Sequence, residues 1–190
     1  MSLASFYIVG IGLSIGGIDP LCEILSSVPD KVNAAFLIIQ HLDPAYPSRL
    51  AERLPPFTKI RVNVAKHAQL VECNHVYVLA EGQMMTIEDG KILLRNRNHD
   101  ETVNKAVDIV FKSMALDLGN RAISVILSGL DGDGSLGATH INQRGGITIA
   151  QLPSSAKFPS MPESAISSGQ TDFILSPKEI ASILTEIITE

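Results

Sequence analysis

The sequence predicts an α/β fold: a mainly parallel β-sheet covered on both faces by helices and decorated with a β-hairpin. Three observations carry this. Runs 6–11 (FYIVGI), 35–39 (AFLII), 123–127 (ISVIL) and 147–150 (ITIA) are almost wholly apolar, as strands buried on both faces are. Segments with helical spacing alternate with them. Asp89-Gly90, set between two β-type runs, is a hairpin signal.

In chain order, the first strand breaks into Gly10, Gly12, Gly16 and Gly17 around one hydroxyl, Ser14. Leu21, Cys22, Leu25 and Val28 follow at helical spacing. The second strand ends abruptly in Gln40-His41-Leu42-Asp43-Pro44. Ser48 is placed to cap a short segment carrying Leu50 and Leu54, which Pro55-Pro56 stops. Residues 60–65 alternate as a half-exposed strand does, and residues 75–79 (HVYVL) form a further strand. With the hairpin over 84–94, the middle of the chain reads as β-rich decoration.

Residues 95–101 (RNRNHDE) read as a polar loop. A helix over 102–118 places Val103, Val107, Val110, Phe111 and Met114 on one face, and Gly119 stops it. The strand 123–127 opens into Ser128-Gly129-Leu130-Asp131-Gly132-Asp133-Gly134. A helix then runs to about Arg144, ended by Gly145-Gly146. After the strand at 147 come a loop with Lys157, Phe158 and Met161, a short helix at 164–168 and a strand at 172–175. Ser176 and Glu179 bracket Pro177 as a capping box for the last helix. No repeat, low-complexity stretch or linker interrupts the chain, so a single domain is expected over 1–190.

Composition narrows the function classes. The chain has 190 residues, a net charge of −5, 45% apolar content and no Trp. Such a chain can bury a sizeable aliphatic core. Its Lys and Arg are scattered without a basic stripe, which argues against nucleic-acid binding. No apolar run approaches the roughly 20 residues of a membrane span, and no signal-peptide pattern opens the chain. Cys22 and Cys73 lack disulfide-framework or zinc spacing and read as small buried apolar residues. The expected setting is cytoplasmic, without membrane insertion.

Ligands of parallel sheets bind outside the carboxyl ends of the strands, where the polar clusters fall. The glycine turn at 10–17 has two readings. A dinucleotide loop needs G-x-G-x-x-G and an acid at the end of the second strand. Here the third glycine comes one residue late, and Gln40 and His41 occupy the acid's position. The alternative is Gly12-Leu13-Ser14-Ile15-Gly16, a G-x-S-x-G turn that exposes a nucleophilic hydroxyl. Taken alone, a serine beside glycines is often only a helix cap. His41 at the next strand end, and Asp133 with Asp131 in the glycine-rich turn, supply the base and acid that a serine nucleophile needs. Taken alone, these aspartates would cap the helix after Ser135. His140 falls within a predicted helix, and His67, His75 and His99 lack a catalytic setting.

With these residues in place, the sequence resembles the catalytic domain of CheB-type protein-glutamate methylesterases of bacterial chemotaxis. The matching pieces are IVGIGLSIGG, IIQHLDP, VDIVF, VILSGLDGDGSLG, GGITIAQ and FPSMPESAI, which span nearly the whole chain in the family's order. The resemblance implies a three-layer α/β/α domain with a doubly wound, Rossmann-like sheet. It implies Ser14 as nucleophile, His41 as base and Asp133 as its acidic partner. Backbone N–H groups of Ile15 and Gly16, with that of Leu130, are expected around the oxyanion, and Met161 beside the substrate. The implied activity is hydrolysis of glutamate methyl esters, and deamidation of glutamines, on cytoplasmic helices of methylated chemoreceptors. No metal or organic cofactor is expected. The family's receiver domain has no counterpart here, so a separate regulatory domain is an expected partner. Leu13, Ile15, Leu130 and Asp131 stand where the family usually carries other residues: small ones at 13 and 15, Met or Thr at 130, Gly at 131. Leu13, Ile15 and Asp131 motivate an alternative, a non-catalytic interaction domain of the same family.

Overall fold

The computed structural model describes residues 6–41, 48–98, 101 and 104–189. Seven parallel strands form the main sheet. They are β1 (Tyr7–Leu13), β2 (Ala34–Gln40), β3 (Arg61–Val64), β5 (His75–Val78), β8 (Ala122–Ile126), β9 (Ile147–Gln151) and β10 (Phe173–Leu175). Their order is β10-β9-β8-β1-β2-β5-β3. β1 lies at the centre, and the chain winds from it in one direction through β2 and in the other through β8. The carboxyl end of β1 is thus the point at which strand order reverses, where such sheets open a crevice. Register places Leu13 beside Gln40 and Gly12 beside Ile126.

Side-chain alternation along β1 builds two different faces. Val9, Ile11 and Leu13 point to the layer of α1 (Ile18–Ser27) and α6 (Pro177–Thr189), where Leu21, Ile24, Leu25, Ile180, Leu184 and Ile188 are buried. Ile8 points to the opposite layer, with α3 (Ala106–Leu118), α4 (Ser135–Gln143) and α5 (Ser160–Ser167). Gly10 and Gly12 share that second face. A Cβ on Gly10 would lie 2.7 Å from the Phe111 ring, and one on Gly12 would overlap Val107. These two glycines therefore form a shelf on which α3 rests directly against the central strand. That explains them without any phosphate.

A separate antiparallel sheet joins β4 (Gln69–Leu70), β6 (Gln83–Glu88) and β7 (Lys91–Asn96). Its hairpin turns at Asp89-Gly90, with φ of 51° and 70°, the paired positive values of a tight hairpin turn. Asp117 of α3 accepts the N–H groups of Asp89 and Gly90 at 2.8 and 3.0 Å, fixing the hairpin to that layer. Only this part of the middle segment is decoration. β5 and β3 extend the main sheet: His75–Val78 is buried enough to be an interior strand, and Arg61–Val64, exposed at both ends and half-buried between, pairs with it as the edge strand.

Most boundaries follow the sequence. Arg95 and Asn96 belong to β7 rather than to a loop, since backbone pairing with Gln83 and Met84 carries the hairpin on. The α3 helix begins at Ala106, while Thr102 and Val103 lie outside the described residues. α5 begins at Ser160, four residues early, because the Met161 N–H bonds the Gly129 carbonyl and anchors the first turn. The capping box of α6 is present: Glu179 accepts the Ser176 N–H at 2.9 Å. Cys22 and Cys73 are free and half-buried rather than fully buried. The first sits on the flank of α1; the second lies in the turn before β5, its Sγ 2.9 Å from the Val32 carbonyl.

Candidate active site

Backbone bonds across three neighbouring strands bring the candidate residues together. The Ser14 N–H donates to the Ser128 carbonyl at 3.0 Å, and the His41 N–H donates to the Leu13 carbonyl at 2.9 Å. Ser14 thus stands between the end of β2 and the turn after β8. It is no helix cap: α1 starts from Gly17 without a side-chain cap bond. Leu13 is fully buried beneath the turn, against α1. Ile15 is 50% exposed above it. Gly16 adopts φ +77°, which favours glycine, and a Cβ there would crowd Ser128 Oγ at 2.8 Å. Among the described residues, the N–H groups of Ile15, Gly16 and Leu130 have no backbone acceptor.

His41 Nε2 lies 2.5 Å from Asp133 Oδ2. Its other nitrogen, Nδ1, lies 2.8 Å from Asp131 Oδ2. The His41 side chain is 7% exposed and that of Asp133 1%, against 49% for Asp131. Burial by itself pulls the imidazole pKa down, but the contacts with Asp131 and Asp133 outweigh it and raise it to about 9. Asp131 is held below the usual carboxylate range, its burial outweighed by the His41 contact. Among the described residues no group of three or more His, Cys, Asp and Glu side chains is arranged to hold a metal ion. His41 instead bridges two carboxylates.

Asp133 does not cap the helix that follows it; α4 starts from Gly134 without a side-chain cap. Its carboxylate instead accepts the N–H groups of Val107, Asp108 and Gly134, each at 2.9 Å. The first two are first-turn donors of α3. With Asn104 Oδ1 on the Ala106 N–H at 3.1 Å, the opening turn of α3 is satisfied by a remote residue. Asp108 completes the cluster by accepting the Gly134 and Gly137 N–H groups. Burial raises its pKa, the Gly137 bond opposes this, and the charge of Asp133 adds to the rise.

Two supports were not singled out from the sequence. Ser128 Oγ donates to the Ile15 carbonyl at 2.9 Å and accepts the Phe158 N–H at 2.9 Å, tying the serine turn to the loop before α5. The fully buried Gln151 accepts the Ser128 N–H through Oε1 at 3.0 Å. The signal for Gln151 was a long polar residue closing the apolar run ITIA. Met161 is fully buried against Gly129, and its N–H is spent on the Gly129 carbonyl, so it supplies packing rather than a free donor. Leu130 is 61% exposed. His67, His75 and His140 lie elsewhere: the first bonds Leu94, the second stacks on Tyr77, and the third is an exposed residue of α4. Leu42, Asp43, Pro44 and His99 lie outside the described residues.

A family model described as CheB methylesterase matches residues 9–184. The chain belongs to that family. Its fold is that of the Thermotoga maritima CheB methylesterase catalytic domain, with a TM-score of 0.88 and 29% identity over 96% of this chain and 99% of that one. Among curated relatives, a protein-glutamate methylesterase/protein-glutamine glutaminase of Hahella chejuensis is 32% identical over 95% of this chain and 52% of its own length. One of Pyrococcus abyssi is 31% identical over 95% and 50%. The chain therefore spans about half the length of these relatives. This CheB-family chain shares the fold of the Thermotoga domain, and it also carries the small antiparallel sheet β4-β7-β6.

Proposed function

We propose that the chain is a serine hydrolase that removes methyl esters from glutamate side chains of chemoreceptors, with deamidation of receptor glutamines as a second reaction. The observation that carries this is the meeting of Ser14, His41 and Asp133 at adjacent strand ends, with His41 Nε2 on Asp133 at 2.5 Å. Ser14 Oγ attacks the ester carbonyl carbon while its proton passes to Nδ1 of His41, the nitrogen Asp133 does not hold. Asp133 keeps the ring oriented and stabilises the imidazolium. The N–H groups of Ile15, Gly16 and Leu130 receive the oxyanion; one such donor is typically worth ~10²–10³ in rate. The C–O bond to the methoxy group then breaks, the proton on His41 goes to that oxygen, and methanol leaves. Water, giving a proton to His41, cleaves the acyl-enzyme. Ser14 recovers its proton, and the product is a glutamate carboxylate. With glutamine the leaving group is ammonia.

The substrate would be the cytoplasmic helices of a methylated receptor, met in the cytoplasm, with a separate receiver or regulatory domain as controlling partner. The exposed Ile15 and Leu130 would flank the entering side chain. No described helix is long and apolar enough to cross a membrane. The deciding experiment is methanol release from methylated receptor by the wild type and Ser14→Ala; equal rates would end the serine mechanism. One observation favours a second reading, a non-catalytic interaction domain: Asp131 occupies the imidazole nitrogen that Ser14 needs. A fluorophosphonate probe separates the two, since only an activated Ser14 is labelled.

A further inference from the structure

His41 has two ring nitrogens, and Asp133 holds one of them. Only Nδ1 remains to accept the Ser14 proton, and Asp131 Oδ2 stands 2.8 Å from it. The other oxygen of Asp131 accepts the Asp133 N–H at 3.1 Å, so each carboxylate oxygen has one partner at rest. An imidazole flanked by two carboxylates is favoured with both nitrogens protonated, and such a ring has no lone pair to offer. Ser14 Oγ correspondingly has no hydrogen-bond partner among the described residues.

We propose that Asp131 is a latch on the base: its carboxylate competes with Ser14 for Nδ1 of His41, and hydrolysis requires it to move off that nitrogen. The proposal rests on the serine-hydrolase reading and states how that site is held at rest.

The surroundings suit a group that moves. Asp131 is the half-exposed member of the cluster, while His41 and Asp133 are buried. It is followed by Gly132, a residue type whose backbone can adopt conformations closed to others. By contrast, Asp133 is pinned by three N–H donors and cannot follow. Among the described residues, Asp131 and Asp133 face His41 from the turn after β8, and Asp108 and Lys105 stand behind them on the α3 side. Lys105 Nζ is held by Asp108 at 3.5 Å and adds a smaller contribution to the His41 contact in favouring the charged form of Asp131. It is the natural partner for a carboxylate leaving the imidazole. The raised pKa of His41, about 9, agrees with the latched state: at pH 7 the ring is held mainly in its protonated form.

The test uses Asp131→Asn, which keeps an acceptor for the Asp133 N–H without the charge, and Asp131→Gly, which removes the side chain. Ser14 labelling by a fluorophosphonate is followed from pH 6 to 10, alongside an NMR titration of the His41 ring. Both variants are expected to label about 10-fold or more faster than wild type at pH 7, with the His41 titration moved down by about one unit or more. Unchanged labelling and titration would overturn the latch while leaving the serine reading intact. Slower labelling at every pH in both variants would make Asp131 a positioning residue and also overturn it. If Ser14 is silent in all three proteins, the serine-hydrolase reading fails and the latch falls with it.

Discussion

Val107 donates its backbone N–H to Oδ2 of Asp133 at 2.9 Å, the same oxygen that meets Nε2 of His41 at 2.5 Å. One carboxylate thus orients the imidazole and caps α3, so the geometry of the site and the docking of a core helix depend on a single group.

Asp133→Ala is therefore expected to cost both functions. It removes the acceptor of two first-turn N–H groups, a loss of about 1–3 kcal/mol by the usual worth of caps and buried hydrogen bonds. Ser14→Ala removes a half-buried hydroxyl with no described partner, and stability should stay within about 0.5 kcal/mol. Urea unfolding of the two variants beside an esterase assay checks this. Both should lose hydrolysis, and only Asp133→Ala should lose stability.

The pH dependence of stability has a definite sign. The folded pKa of His41 is about 9, above the roughly 6.5 of an unfolded histidine. A raised pKa means that the folded state holds the proton more tightly. The stabilisation is complete below about pH 6.5 and is lost as pH rises through about 9. Its full size is on the order of 3 kcal/mol. Urea midpoints of the wild type should fall between pH 7 and 10, and those of His41→Gln should fall less. Parallel curves would remove His41 as the source.

Gly12→Ala should be destabilising despite the chemical smallness of the change. The added methyl meets Val107 on the face where α3 rests. Overpacking of this kind costs about 1–3 kcal/mol. Because Val107 also donates to Asp133, activity should fall with stability. A thermal melt combined with probe labelling of Ser14 would show both, and an unaltered melting temperature would contradict the shelf.

Ser128→Ala should act mainly on rate. Its hydroxyl joins the Ile15 carbonyl to the Phe158 N–H, holding the turn that presents Ser14 and the open N–H groups. Stability should fall by about 1–2 kcal/mol, while labelling of Ser14 slows by roughly 10-fold or more through misplaced donors. A variant that labels as fast as wild type would show that the turn holds itself.

The sheet and its order of elements were legible in the sequence because strands buried on both faces leave long apolar runs, and few other structures do. The placement of Ser14, His41 and Asp133 at neighbouring strand ends was legible in the sequence. Less legible was what Asp133 holds. A capping aspartate is ordinarily sought beside the helix it follows, whereas Asp133 reaches some 25 residues back to α3. Gly10 and Gly12 were only half legible in the same way: the sequence argued against a phosphate loop but did not show that they admit Phe111 and Val107, a contact fixed only by tertiary packing. The edge strand Arg61–Val64 looked like decoration because alternation does not say which sheet a strand joins. Asp131 could be noticed in the sequence, but its choice of nitrogen could not.

The pairing of Leu13 with Gln40 and of Gly12 with Ile126 sets Ser14 beside His41 and Ser128. A two-residue slip of β2 along β1 would keep every apolar side chain on its proper face, yet would carry His41 about 7 Å from the serine turn. Burial alone would hardly distinguish the two arrangements. On the proposed serine mechanism an active-site reagent would, since Ser14 then needs His41 at its side to react. Labelling of Ser14 would thereby gauge strand alignment, and its appearance during refolding would time the moment at which the central strands reach their final register.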